Sequence, residues 1–191
     1  MKNISKRFTI AIIHRNGFRR LKAALDSAIN IAGKSDEILI IDNASTDNSM
    51  EKIEQDNAYK NIKIIKNSCN TGYAYTCNQA MSQGNGKYFL LCNNDIKLPK
   101  NCLSDFEKIF IDFPESGIIG GQLLDVNQNM VGSYSKAPTF FSELDSIGRL
   151  RSPERYQTIH EVGTLRGACL AVRRSTVESA GMMDEDFFFY F

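Results

Sequence analysis

Phe8-Thr9-Ile10-Ala11-Ile12-Ile13-His14-Arg15-Asn16 sets an apolar, β-branched run directly against a polar triplet. An uncharged run of this kind reads as a strand buried on both faces, as found inside parallel sheets. The pattern repeats. Glu37-Ile38-Leu39-Ile40-Ile41 stops at Asp42, and Lys87-Tyr88-Phe89-Leu90-Leu91-Cys92 stops at Asn93-Asn94-Asp95. Ile62–Lys66 is a shorter strand between them. Apolar residues at helical spacing fill the gaps. Leu21, Ala24, Leu25, Ala28, Ile29 and Ala32 are halted by Gly33, and Ala74, Cys77, Ala80 and Met81 are halted by Gly84-Asn85-Gly86. Ser45 or Asp47 predicts a cap for a helix running to about Gln55. A helix near 101–113 and a strand near Gly117–Leu124 complete five alternations. This order predicts an α/β fold: a mostly parallel central sheet flanked by helices and joined by right-handed crossovers.

Beyond about residue 126 the rhythm fails. Residues 127–163 mix Asn, Ser, Pro and Gly with scattered aromatics and predict no regular element. A long irregular stretch in a compact domain is often a functional loop or lid. Gly167–Val172 reads as one more strand, and Ser175 as the cap of a short helix ending at Gly181. There is no internal repeat and no low-complexity tract.

At 191 residues one domain is expected, with a sizeable core. Lys and Arg total 23 and Asp and Glu 22, a balance unlike that of a polybasic nucleic-acid binder, so no nucleic-acid partner is expected. No apolar run approaches the ~18 residues of a membrane helix, so no transmembrane segment is expected either. The five cysteines include no Cys-x-x-Cys pair, which favours reduced thiols over a disulfide framework or a zinc site. Cys92 and Cys169 lie in apolar runs and read as small core residues.

In open α/β sheets, ligands bind outside the carboxyl ends of the strands. That rule selects His14-Arg15-Asn16, Asp42 and Asn93-Asn94-Asp95. Singly, each group could do no more than close a turn or cap a helix. Together on one edge they make a polar site over a hydrophobic floor. The common nucleotide motifs are missing: no G-x-x-x-x-G-K-[ST], and no G-x-G-x-x-G after the first strand. Neither H-E-x-x-H nor G-x-S-x-G occurs. What remains is an edge rich in Asp and Asn, whose hard oxygens suit Mg²⁺ or Mn²⁺ beside substrate phosphates.

These segments resemble the family 2 glycosyltransferases of the GT-A fold, in the branch that includes rhamnosyltransferase-like enzymes. The matching stretches are Ile12–Asn16, Ile40–Asp47, Asn70-Thr71-Gly72-Tyr73-Ala74 and Leu90–Asp95, followed by Gly167–Arg174 and Met183–Phe191. They stand in the family's order and span nearly the whole chain. The resemblance implies one transferase domain over 1–191, with a GT-A-like nucleotide-binding part at about 7–125 and an acceptor-side part at about 126–191. It implies an inverting transfer from a UDP- or dTDP-sugar to a glycan or lipid-linked glycan acceptor. It also implies a cytoplasmic protein associated peripherally with the inner face of a membrane.

The roles it implies are these. His14, Arg15 and Asn16 line the nucleotide pocket. Asp42 bonds the pyrimidine base, with Asn43 and Asp47 beside it. Asn70, Gly72 and Asn78 shape the pocket around base and diphosphate. Asn94 faces the ribose, and Asp95 binds Mn²⁺ or Mg²⁺ on the diphosphate. Gly167, Ala168 and Cys169 lie near sugar and acceptor. Two features depart from the family pattern. His14 and Arg15 replace a small hydroxyl residue and an aromatic. The aromatic run Phe187–Phe191 is not followed by the acidic pair that supplies the general base, so the base is expected after Phe191. Two rival readings are a sugar-phosphate nucleotidyltransferase and a non-catalytic sugar-nucleotide-binding domain of a glycan assembly protein.

Overall fold

The computed structural model describes residues 5–135 and 159–188. The first alternation is β1 (Lys6–His14), α1 (Phe18–Ile31), β2 (Glu37–Asp42), α2 (Ser49–Gln55) and β3 (Lys63–Lys66). It continues through α3 (Tyr73–Gln83), β4 (Gly86–Asn93) and α4 (Cys102–Asp112). After these come β5 (Ile118–Gly120), β6 (Leu123–Leu124), β7 (Met130–Val131), β8 (Tyr134–Ser135), β9 (Thr164–Leu165), β10 (Cys169–Arg173) and α5 (Arg174–Ala180).

Among the described residues the main sheet has six strands in the order β3-β2-β1-β4-β10-β5. The four strands from β3 to β4 are parallel, as the alternation predicts. β1 lies inside the sheet, and its alternate residues feed two cores. Phe8, Ile10 and Ile12 pack with Leu21, Leu25 and Phe106 on one face, and Ala11 packs with Cys77, Met81 and Leu91 on the other. Burial on both sides is why the run carries no charge.

Three expectations are corrected. The strand expected at Gly117–Leu124 is two pieces, broken at Gly120-Gly121. β5 joins the main sheet, whereas β6 pairs with β7 across a turn in which Asp125 accepts from the backbone of Asn127 and Asn129, both at 2.8 Å. β10 inserts between β4 and β5 and is antiparallel to both. Ser175 is not the cap of α5, which starts one residue earlier, after the extended Arg173. The stretch read as 127–163 holds β7 and β8, and β8 pairs antiparallel with β9. The rest of the lid expectation, at 136–158, lies outside the described residues.

Two arginines, Arg174 buried and Arg173 half-buried, fix the far side. Arg174 donates to the carbonyls of Gly86 at 2.7 Å and Gly84 at 2.9 Å. Arg173 reaches the Phe110 carbonyl at 2.8 Å and lies over the Phe110 ring. The four cysteines of the interior, Cys77, Cys92, Cys102 and Cys169, are free thiols, and only Cys69 is exposed.

Candidate functional site

The carboxyl ends of β1, β2 and β4 bring the three polar groups to one edge. His14 stands beside Asp42 in the β1–β2 register, and Ile13 beside Asn93 in the β1–β4 register. The chain runs outward from β1 through β2 to β3, then returns to place β4 on the other side of β1. The crevice between β1 and β4 is therefore the switch point, where open α/β sheets bind ligands.

His14 spans this crevice and is fully buried. Asn94 Nδ2 donates to His14 Nδ1 at 2.8 Å and to the Asn16 carbonyl at 2.9 Å. On the other side of the ring, Nε2 lies 2.8 Å from Oγ of Ser49, which is also fully buried. Ser49 donates in turn to Asp47. Burial pushes the His14 pKa below its ordinary value, and the nearby Asp42 and Asp47 carboxylates do not restore it. A histidine kept neutral by folding takes up a proton more readily when unfolded. Stability is therefore full above about 6.5, the unfolded value, and falls as pH drops through the folded value. The expected slope is at most about 1.4 kcal/mol per pH unit. Melting temperatures measured from pH 6.5 down toward the carboxylate range check this, and His14→Asn should flatten the slope.

The loops after β1 and β2 are stitched together. Asn16, at φ +58°, accepts from the amide nitrogens of Thr46 at 2.7 Å and Asp47 at 3.3 Å. Its own amide donates to Ser45 Oγ at 2.9 Å. Asp47 accepts from the Gly17 amide at 2.8 Å. Gly17 sits at φ +97°, a conformation that favours glycine, and opens α1. Burial raises the Asp47 carboxyl, but its bonds from Ser49 and Gly17 prevail and hold it below the usual range. Arg15 is exposed and has no bonded partner among the described residues.

Asp42 is 5% exposed. One carboxylate oxygen accepts from the Ser45 amide at 3.1 Å and from its hydroxyl. The other has no partner among the described residues. Asn43 is spent on the scaffold. Its oxygen accepts from the Thr71 amide at 2.9 Å, and its nitrogen donates to Asn70 Oδ1 at 2.7 Å and the Gly72 carbonyl at 3.3 Å. It thus pins the loop 70–72 to the end of β2. Gly72 sits at φ +85°, and a Cβ there would strike the Phe188 carbonyl, which accepts from the Tyr73 amide at 2.7 Å. Asn78 faces the end of the described chain: it donates to the Met183 carbonyl and to Glu185 Oε1, both at 2.8 Å.

Gly167 packs against Tyr73, whose ring would lie 3.0 Å from an added Cβ, and its carbonyl accepts from the Tyr73 hydroxyl. Burial pushes the Tyr73 phenol well above its ordinary value, so it remains a donor. The Ala168 carbonyl accepts from the Asn93 amide at 3.0 Å, tying this segment to the β4 edge. The Cys169 side chain turns into the core, with its sulfur 3.8 Å from that of Cys92.

Asp95 is exposed in the turn after β4 and has no bonded partner among the described residues. No group of three or more His, Cys, Asp or Glu side chains forms a metal cage among them. This donor set fits an ion such as Mg²⁺ or Mn²⁺, which takes one or two carboxylates and completes its shell with water and substrate phosphates. It does not fit a closed zinc site.

Sequence reasoning missed Ser49, Thr71 and Tyr73. Ser49 follows Asp47-Asn48 like any helix-start serine, and only the fold brings it under His14. Tyr73 stands inside a quoted motif, but its bond to Gly167 joins positions far apart in the chain.

A family model described as "Glycosyl transferase family 2" matches residues 9–179. N-acetylglucosaminyl-diphospho-decaprenol L-rhamnosyltransferase of Mycobacterium tuberculosis is 23% identical over 80% of this chain and 57% of its own length. The chain thus spans little more than half of that curated relative. Among solved structures, residues 1–349 of TarS from S. aureus superpose with a TM-score of 0.66 at 17% identity, covering 94% of this chain and 51% of that one. Mannosyltransferase PcManGT of Pyrobaculum calidifontis, solved with GDP-Man and Mn²⁺, gives 0.65 at 17% identity, covering 97% of this chain and 50% of that one. These structures share the GT-A architecture of sheet and flanking helices. With the family match running from β1 into α5 over that architecture, the chain belongs to glycosyl transferase family 2.

Proposed function

We propose that this chain carries the donor-binding part of an inverting transferase, taking a UDP- or dTDP-sugar and serving a glycan or lipid-linked glycan acceptor. The observation that carries the proposal is Asp42. It is a nearly buried carboxylate at the crevice, with one oxygen held by Ser45 and the other open. An acceptor there suits the imide N–H of uracil or thymine, which cytosine lacks. TarS has been solved with UDP and with UDP-GlcNAc, and the curated relative is named for a lipid diphosphate acceptor. PcManGT was solved with a guanine nucleotide, so the shared fold does not choose the base, and Asp42 is the residue assigned to tell uracil or thymine from cytosine.

In this reading the base meets Asp42 and the loop 70–72 that Asn43 holds. Asn94 meets the ribose, with His14 beneath it and Asn16 and Asp47 bracing the loops. Arg15 is free to meet phosphate. Asp95 would hold Mn²⁺ or Mg²⁺, which when bound stabilises negative charge on the departing nucleoside diphosphate. The acceptor hydroxyl attacks the anomeric carbon as the bond to the diphosphate breaks, and a base takes its proton. Gly167, Ala168 and Cys169 form the floor on the sugar and acceptor side. We assign the base to a carboxylate outside the described residues. The domain boundaries proposed are a nucleotide-binding part at about 7–125 and an acceptor-side part at about 126–191. No described helix is long and apolar enough to cross a membrane. Work on a lipid-linked acceptor would place the protein in the cytoplasm, at the inner face of the membrane, in polysaccharide synthesis.

Asp42→Ala tests the base contact. Affinity for UDP should fall by about 0.5–1.5 kcal/mol, or more if the lost partner is charged. Calorimetry with UDP, dTDP and CDP on both proteins should show the loss for the uracil and thymine nucleotides and not for CDP. A large fall in melting temperature with unchanged UDP affinity would instead leave Asp42 as the closure of the Ser45 turn.

A further inference from the structure

We propose that His14 is a positioning residue that turns the Asn94 carbonyl oxygen toward the crevice, so that this point of the site accepts a hydroxyl and refuses a phosphate oxygen. The proposal rests on the nucleotide-sugar reading and deepens it, assigning a polarity to the contact with the ribose.

The proton positions follow from partners that can play only one role. The Asn16 carbonyl can only accept, so the Asn94 atom 2.9 Å away must be its amide nitrogen. That nitrogen also lies 2.8 Å from His14 Nδ1, so Nδ1 must be bare. A neutral imidazole with a bare Nδ1 carries its proton on Nε2, which points at Ser49 Oγ 2.8 Å away. Ser49 accepts that proton's bond and passes its own hydrogen to Asp47 Oδ1, a carboxylate oxygen that can only accept. Every link from Asp47 to Asn94 is thus fixed in direction. An imidazolium would break the chain, because its second N–H would face the N–H of Asn94. The charged groups around the ring are Asp42 and Asp47, which favour the imidazolium, and Arg20, which opposes it together with burial.

Both hydrogens of the Asn94 amide are consumed, and Oδ1 has no partner among the described residues. The group offered to a ligand is therefore an acceptor only. It can take a ribose hydroxyl, and it would repel the oxygen of a diphosphate. The family resemblance places a small hydroxyl residue where this chain has His14. Ser49, 35 residues away in sequence, is the partner that locks the ring.

The test compares UDP with its dideoxy analogue, which lacks both ribose hydroxyls, in the full chain. Wild type should prefer UDP roughly two- to tenfold, the worth of one hydrogen bond. His14→Leu removes the acceptor for Asn94 and should bring the preference toward unity. His14→Asn keeps an acceptor near the Nδ1 position and should restore it, a rescue that a purely structural role would not give. If His14→Leu does not fold, long-range proton–nitrogen spectra of the wild-type ring decide: a proton on Nε2 with Nδ1 bare at neutral pH is expected. Binding of UDP with the same preference in all three proteins would overturn the proposal alone, as would a proton on Nδ1. Failure of wild type to bind any uracil or thymine nucleotide would overturn the functional reading beneath it.

Discussion

Asp95→Ala abolishes the gain in UDP affinity that Mn²⁺ confers, while leaving the melting temperature within experimental scatter. The side chain is exposed and has no bonded partner among the described residues, so removing it disturbs no packing and no hydrogen bond. Among the described residues it is the one assigned to hold the ion. Even groups that merely orient a metal ligand are worth about 10–100-fold in metal affinity, so a direct ligand should cost UDP binding in Mn²⁺ at least about tenfold. Asp95→Asn should behave alike, since a neutral amide oxygen is a much weaker ligand for a hard divalent ion. Titrations of UDP into both variants, with Mn²⁺ and with EDTA, check the expectation. A variant that still gains affinity from Mn²⁺ would move the metal ligand elsewhere.

The largest effect on stability is expected at Phe110, far from the site. Its ring is 1% exposed and stacks on Tyr88 with centroids 4.7 Å apart and planes 1° from parallel. Tyr88 packs in turn on Phe8. Arg173 flanks the stack, 4.7 Å from the Phe110 centroid and 5.9 Å from that of Tyr88. Phe110 therefore joins α4 to β1, β4 and β10. Phe110→Ala leaves a cavity that this rigid stack cannot close and should cost about 3–5 kcal/mol. Against a total of about 5–15 kcal/mol for a typical domain, that is a large fraction. Urea unfolding measures it through the shift in midpoint. A loss below about 1 kcal/mol would show that α4 contributes little to the core.

The same residues explain how far the sequence could be read. β1, β2 and β4 were legible because strands buried on both faces must be apolar throughout, and each ends on a polar group at the edge. β10 was legible as a strand but not in direction, because the apolar run Cys169–Val172 suits either a parallel or an antiparallel neighbour. Gly117–Leu124 looked continuous because Ile118, Ile119, Leu123 and Leu124 are all apolar. The pairing of Leu123 with Val131 is a tertiary choice, made beyond the Gly120-Gly121 break.

At the site, position was legible and partnership was not. His14 stands beside Asp42 in the strand register and bonds Asn94 across the crevice, and Asp95 lies in the turn that follows β4. An amide or an imidazole in a sequence does not reveal whether it serves a ligand or the backbone. Asn43 and Asn78 satisfy buried backbone and loop groups, as buried polar side chains generally must. His14 does the same, and its effect on a ligand passes through Asn94. Cys169 sits in a motif yet faces the core, because alternation along β10 sends it there.

The most direct test of the account is calorimetric titration of UDP and dTDP into the wild-type chain, with Mn²⁺ and again with EDTA. The account predicts binding of both nucleotides, tightened by the metal, because Asp42 serves the base and Asp95 the ion on the diphosphate. Equal affinity with Mn²⁺ and with EDTA, or no binding of either nucleotide, would contradict it.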